Sequence, residues 1–287
     1  MKMIKKASDD KLEIIHAYYN KRFLLTVDRS LCKGCAICRL ICPRFAVSLK
    51  SQPKDENGKA VHPLVDIDEK KCDFHGICAV ACPFSAIKIE VDGKEGIPTV
   101  EKGVFPTLTR DIEIDSSKCE PGCKKCEEKC PLEIISVKFE DSPEGGSQKT
   151  IVDVKKELCA GCQICWRVCP TDAIKVTKFI EGSIRLHQEL CPSGCKDCLD
   201  VCPVDALYIE DDKVYVDYNN CIYCGACQTV CPVPKALEIK RTLVHHSPID
   251  SGAWNKGLEK ITSKEALNKE LAAERVGKIR TAVNNLK

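Results

Sequence analysis

Aromatic residues are scarce: Phe, Tyr and Trp make up 5% of the 287 residues. Large hydrophobic cores are hard to build from such a chain, because aromatics carry the largest buried areas. An excess of one charge is also missing. Lys and Arg number 44 against 42 Asp and Glu, for a formal net charge of +2, so no nucleic-acid partner is implied. No apolar run approaches the roughly 20 residues of a transmembrane helix, which argues against membrane insertion. The opening residues, MKMIKKASDD, lack the apolar stretch of a secretory leader. Catalytic signatures are absent: there is no P-loop, GxGxxG, HExxH or G-x-S-x-G. The chain therefore reads as having no catalytic site of its own.

What the chain has instead is cysteine, 23 in all. All fall in six copies of C-x₂₋₃-C-x₂-C-x₃-C-P. Five are complete: Cys32/Cys35/Cys38/Cys42, Cys119/Cys123/Cys126/Cys130, Cys159/Cys162/Cys165/Cys169, Cys191/Cys195/Cys198/Cys202 and Cys221/Cys224/Cys227/Cys231. The remaining copy, Cys72/His75/Cys78/Cys82, has histidine in second place. The spacing is that of bacterial-type iron–sulfur ligands. Counting His75, the 24 candidates make six sets of four, so six [4Fe-4S] clusters are expected. A disulfide scaffold is a poor alternative, since cysteines three or four apart have poor geometry for pairing with each other. Zinc ribbons use two separated C-x₂-C pairs, a different pattern. The expected setting is a reducing, anaerobic cytoplasm, because such clusters are lost to oxygen. Units this poor in apolar residues need their metal in order to fold.

The motifs fall into three pairs, each with the order strand, motif, hairpin, motif, strand. The β-type segments are Phe23–Val27, Ala46–Leu49, Leu64–Ile67 and Ala86–Val91 in the first pair. They are Asp111–Ile114, Ile134–Phe139, Ile151–Val154 and Ala173–Phe179 in the second. In the third they are Ser183–Leu186, Ala206–Ile209, Val214–Val216 and Ala236–Lys240. This predicts an α+β chain of three tandem two-cluster bacterial-type ferredoxin domains, at 22–92, 108–180 and 181–242, with a linker and C-terminal docking helix at 243–287. Gly34, Gly76, Gly161 and Gly225 suit a loop that wraps a cluster with positive φ. Proline after each fourth cysteine suits the first turn of a short helix. Ser8–Tyr19 reads as a helix. Thr262–Leu286 reads as another, capped by Thr262 and Glu265, with Leu267, Leu271, Val276, Ile279, Val283 and Leu286 recurring mostly at three or four residues. It packs on its own domain or docks a partner subunit. Trp254, His245 and His246 read as surface or packing residues of the link.

In two-cluster domains the fourth cysteine of each run ligates the other cluster. Site 1 is then Cys32, Cys35, Cys38 and Cys82, and site 2 is Cys72, His75, Cys78 and Cys42. Site 3 is Cys119, Cys123, Cys126 and Cys169; site 4 is Cys159, Cys162, Cys165 and Cys130. Site 5 is Cys191, Cys195, Cys198 and Cys231; site 6 is Cys221, Cys224, Cys227 and Cys202. His75 ligates iron through an imidazole nitrogen, leaves a three-iron or solvent-ligated cluster, or fills space. The first is favoured because imidazole is a good iron ligand.

CEPGCKKCEEKCP (Cys119–Pro131) and CPSGCKDCLDVCP (Cys191–Pro203) share one form, and the tail reads SGAWNKGLEKITS (Ser251–Ser263). In these features the chain resembles the polyferredoxins, most of all the iron–sulfur subunits F of formylmethanofuran dehydrogenase. Those carry eight motifs where this chain carries six. The resemblance implies an electron-transfer subunit relaying low-potential electrons within a large redox complex, its three domains in series as a wire. It implies catalytic partner subunits: a molybdenum or tungsten pterin formate dehydrogenase module and a metal-dependent amidohydrolase module. Together these reduce carbon dioxide to formate and condense it with methanofuran, or run the reverse. Other ferredoxins or electron-bifurcating subunits are further partners. Alternative readings are a polyferredoxin subunit of a hydrogenase or other oxidoreductase, and a non-redox metal-binding protein.

Overall fold

The computed structural model describes residues 2–140 and 149–284, with side chains through residue 276. Its first repeat runs β3 (Arg22–Asp28), α1 (Ile37–Ile41), β4 (Val47–Lys50), β5 (Leu64–Ile67), α2 (Ile77–Val80) and β6 (Ile87–Val91), preceded by β1 (Lys2–Ala7) and β2 (Lys11–Ala17). A short β7 (Lys94–Glu95) and α3 (Pro98–Glu101) lead out of it. The second is β8 (Ile112–Ile114), α4 (Lys125–Glu128), β9 (Ile135–Glu140), β10 (Lys149–Val154), α5 (Ile164–Val168) and β11 (Ile174–Val176). The third is β12 (Ile180–Leu186), α6 (Asp197–Asp200), β13 (Leu207–Glu210), β14 (Lys213–Val216), α7 (Ala226–Val230) and β15 (Leu237–Val244). Two helices close the chain, α8 (Gly252–Thr262) and α9 (Lys264–Asn284).

Each repeat pairs its outer strands, β3 with β6, β8 with β11 and β12 with β15, all antiparallel. Each also pairs its inner hairpin, β4 with β5, β9 with β10 and β13 with β14. The expected α+β architecture of three two-cluster ferredoxin domains is therefore present. Two-stranded ladders are marginal alone, and the cysteine loops pack between them as the shared interior.

Four local expectations are corrected. Ser8–Tyr19 is not helical: β1 and β2 form a hairpin that extends the first sheet. The Ser8 backbone N–H donates to the Lys11 carbonyl at 2.9 Å and closes the turn. Leu12 and Ile14 then alternate into the core, the period of a strand. The hairpin is tied across the domain by Lys5 to Asp66 at 2.5 Å and by His16 Nε2 to the Glu69 carbonyl at 2.7 Å. Proline after the fourth cysteine starts no helix. The short helices precede it and carry the third cysteine of every run, for example Cys38 in α1 and Cys227 in α7. A residue before proline avoids the helical region, and Cys42, at φ −64° and ψ 117°, is extended accordingly.

The third correction concerns the link containing Trp254, which is helix α8. Ser251 caps it, accepting from the Trp254 N–H at 3.3 Å, and Trp254 is fully buried. A Cβ on Gly257 would lie 2.8 Å from Ile77 and 3.0 Å from Ile41, so only glycine lets α8 rest on α1 and α2. Lys260 Nζ reaches the Cys42 carbonyl at 3.2 Å and Glu270 at 3.3 Å. Finally, Ser263 rather than Thr262 caps α9, accepting from the Ala266 N–H at 3.2 Å, while Thr262 ends α8. Apolar residues gather on no single face of α9; at 3.6 residues per turn Val276 falls about 180° from Leu267. The side chains of Ile279 and Val283, and Leu286 itself, lie outside the described residues. Among the described residues no helix is long and apolar enough to cross a membrane.

Candidate metal centres

The runs of Cys32, Cys72, Cys159 and Cys221 make the same loop, each with a left-handed residue just before its helix, while those of Cys119 and Cys191 turn instead at Gly122 and Gly194. Gly34, Gly76, Gly161 and Gly225 take positive φ as the glycine pattern implies, turning the chain so that the helix bearing the third cysteine can begin. After each fourth cysteine a further residue adopts positive φ: Phe45, Ser85, Glu133, Asp172, Asp205 and Lys235. That reversal aims backbone N–H groups at sulfur. Ala86 donates to Cys82 Sγ at 3.4 Å, Ala173 to Cys169 Sγ at 3.2 Å and Ala206 to Cys202 Sγ at 3.2 Å; inside a run, the Gly161 N–H donates to Cys159 Sγ at 3.4 Å. Donors of this kind stabilise negative charge on sulfur.

The runs are brought together crosswise. One cavity of about 370 Å³ is lined by Cys159, Cys162 and Cys165 with Cys130. Another of about 400 Å³ is lined by Cys119, Cys123 and Cys126 with Cys169. Cys72, His75 and Cys78 line a third with Cys42, at about 300 Å³. Cys221, Cys224 and Cys227 line a fourth with Cys202, at about 310 Å³. These are the residues assigned to sites 4, 3, 2 and 6. At site 1 burial raises the Cys32, Cys35 and Cys38 thiols, and Cys82 adds to the effect. At site 5 burial does the same to Cys191 and Cys198, with Cys231 adding.

The donor chemistry fits a cluster. Burial pushes Cys162 up to about 11 and Cys165 and Cys224 up to about 12, with neighbouring thiolates contributing. Thiolates so crowded persist only beside strong positive charge, which iron supplies. A single zinc ion draws sulfur to about 2.3 Å. Among the described residues no three His, Cys, Asp or Glu side chains close around one ion.

His75 meets the requirements of a ligand. Its Nδ1 lies against the Asp73 carboxylate, while its buried Nε2 has no hydrogen-bond partner. With the Nδ1 proton donated to Asp73, Nε2 is left as a lone-pair donor beside Cys42, Cys72 and Cys78.

Sites 1, 4 and 6 converge, one from each domain, where a series of three domains was expected. Cys82, Cys162, Cys221, Cys224 and Cys227 share one buried core, with Cys32 and Cys35 packed on it. Thr229 Oγ1 donates to the Gly34 carbonyl at 3.0 Å. At Gly225, with φ +94°, an added Cβ would lie 2.8 Å from the Arg241 guanidinium and 3.4 Å from the Cys35 carbonyl. All four cysteines of sites 3 and 5 are partly exposed, and α8 lies over the loops of site 2. Sequence reasoning missed Arg110, Lys178 and Arg241 at this junction. They lie outside the cysteine runs, and no local pattern marks them.

A family model described as a 4Fe-4S dicluster domain matches residues 31–86, 118–173 and 190–234. A ferredoxin of Methanothermococcus thermolithotrophicus is 35% identical over 66 residues, covering 23% of this chain and 95% of that protein. An uncharacterised ferredoxin of Methanocaldococcus jannaschii is 38% identical over 66 residues, covering 23% of this chain and 92% of that one. Among solved structures, the chain is similar to one in the formate dehydrogenase–heterodisulfide reductase–formylmethanofuran dehydrogenase complex of Methanospirillum hungatei. There the TM-score is 0.80 and the identity 29%, over 91% of both chains.

Proposed function

The chain belongs to the 4Fe-4S dicluster ferredoxin family, and from that premise we propose that it is the six-cluster polyferredoxin of a formylmethanofuran dehydrogenase complex. As a member it is a multi-cluster electron-transfer protein. The finer reading is supported by one observation above others: the likeness to a chain of that complex extends over 91% of each partner, well beyond a single domain. In this reading sites 1 to 6 are held by the 23 cysteines and His75 as assigned above. The clusters supply one-electron redox capacity. The chain's own residues hold them at fixed spacing, donate N–H groups to their sulfurs and exclude water. Electrons enter or leave at the partly exposed sites 3 and 5, cross the junction of sites 1, 4 and 6, and reach site 2. Catalytic subunits carry out the reduction of carbon dioxide.

Anaerobic affinity capture of the full chain from its native host tests the assignment. Pterin-containing formate dehydrogenase and amidohydrolase subunits should come with it, in a high-mass fraction. Recovery with hydrogenase subunits would move the chain to that alternative, and a free monomer would overturn the assignment.

His75 is expected to ligate site 2 through Nε2. His75→Cys replaces a neutral imidazole with a thiolate, and the added negative charge should lower that site's potential. Redox-titrated EPR should show one midpoint displaced downward and the others unmoved. Identical titrations of the two proteins would mean that His75 only fills space.

A further inference from the structure

Three cations stand at the junction, one in each gap between its sites. Arg110 donates to the carbonyls of Cys82 and Pro83, both at 2.9 Å, and also to that of Cys159. It thus joins site 1 to site 4. Lys178 donates to the carbonyls of Cys221 at 2.9 Å and Tyr218 at 3.0 Å. Its backbone packs on the loop of site 4, where a Cβ on Gly161 would lie 3.4 Å from Lys178 Cα, and it interacts with the charges of Cys221, Asp217 and Cys162, so it stands between sites 6 and 4. Arg241, 6% exposed, donates to the carbonyls of Tyr223 at 2.9 Å and Cys224. It interacts with the charges of Cys35, Cys224 and Cys227, between sites 1 and 6.

A cation taken out of water is costly unless an anion faces it. Among the described residues none of these three forms an ion pair with a carboxylate. Lys260, the buried cation near site 2, does have one, in Glu270. Backbone carbonyls satisfy the donors at the junction but carry no net charge. Glu157 adds to the field at Arg110 and Asp217 to that at Lys178, neither in an ion pair; the other anions that face them, and the ones that act on Arg241, are the cysteine sulfurs and whatever those sulfurs bind.

We propose that Arg110, Lys178 and Arg241 tune the junction, each raising the reduction potential of the two sites it separates. The proposal rests on the iron–sulfur reading above. An added electron makes a site more negative, and a fixed cation at short range in a low-dielectric setting favours that state. Transfer moves one electron from a reduced site to an oxidised neighbour, with no bond made or broken and no proton required. Three cations shared among three sites give each site two of them. The junction then collects electrons arriving from either exposed end, and they redistribute from there. The three residues are tuning residues, since each reaches the sites through backbone carbonyls and charge.

The test uses the full chain, purified anaerobically, in three forms: R241Q, R241K and K178Q. Iron is measured first, then midpoints by redox-titrated EPR. R241Q, which removes charge and keeps most of the volume, should lower two midpoints and leave iron content unchanged. R241K, which keeps the charge, should restore both. K178Q should lower two midpoints, one of them shared with R241Q, because site 6 borders both residues. Unmoved midpoints at full iron content would overturn the proposal and leave the cluster assignment standing. If R241Q loses iron, K178Q decides alone by the same criterion. A wild-type chain without iron would instead defeat the iron–sulfur reading itself.

Discussion

Stripping the iron from the purified chain will unfold it. Outside the extended first sheet, the described β-structure consists of two-stranded sheets, and such ladders do not stand alone. The core where the three domains meet mixes sulfur with hydrocarbon: Cys82, Cys162, Cys221, Cys224 and Cys227 stand among alanines and larger residues such as Phe84, Leu207 and Ile222. Without metal, the thiols of each site are left around a cavity with little else to fill it, and unfilled interior space is destabilising. In such proteins metal-binding free energy is folding free energy. The intact chain should hold about 23 or 24 iron atoms, according to whether the His75 cluster keeps its fourth iron, and about 24 sulfides. Chelation should abolish the far-ultraviolet β signal, and the treated chain should melt without a cooperative transition. An apo chain that keeps its ellipticity and melts cooperatively would contradict this account. So would an iron content near half, accompanied by stoichiometric zinc.

Replacing Cys82 with alanine will dismantle the centre of Cys32, not the centre of the run in which Cys82 lies. The charge of Cys82 acts on the Cys32, Cys35 and Cys38 thiols, while Cys42 lines the cavity of Cys72, His75 and Cys78. Cys82→Ala should cost up to about four iron atoms and leave the histidine-bearing centre spectroscopically intact. Cys42→Ala should do the reverse. The displaced midpoint of His75→Cys identifies that centre in the EPR spectrum, so the two outcomes can be told apart. Loss of the histidine centre on removing Cys82 would mean that each run ligates its own cluster. The consequence reaches beyond site 1. Arg110 and Arg241 place that site against sites 4 and 6, so Cys82→Ala should also slow electron exchange between the first domain and the other two.

The cysteine runs and the strand order were legible in the amino-acid sequence because both are local. A cysteine run confines four donors to a short stretch, and its spacing sets which of them can share a loop. The short apolar segments around each run could then pair in few ways, and they pair as expected from Phe23 to Val244. The N-terminal hairpin was not legible. KLEIIHA fits a helix and a strand about equally, and the decision fell to the Ser8–Lys11 turn and to contacts with Asp66 of β5 and with Glu69 just beyond that strand. Helix α8 was hidden for a similar reason. Its two glycines argue against a helix locally, yet Gly257 is what allows Trp254 to be buried over Ile41 and Ile77. The junction was out of reach altogether. Arg110, Lys178 and Arg241 belong to no repeated pattern, and Cys35 meets Cys224 only because three domains fold back on one core. Ligand spacing alone determined that the chain carries iron–sulfur centres, because coordination is short-ranged and its donors are neighbours in sequence. Which centres meet, and which charges lie between them, was decided by packing among side chains far apart in sequence, and that only the tertiary structure holds.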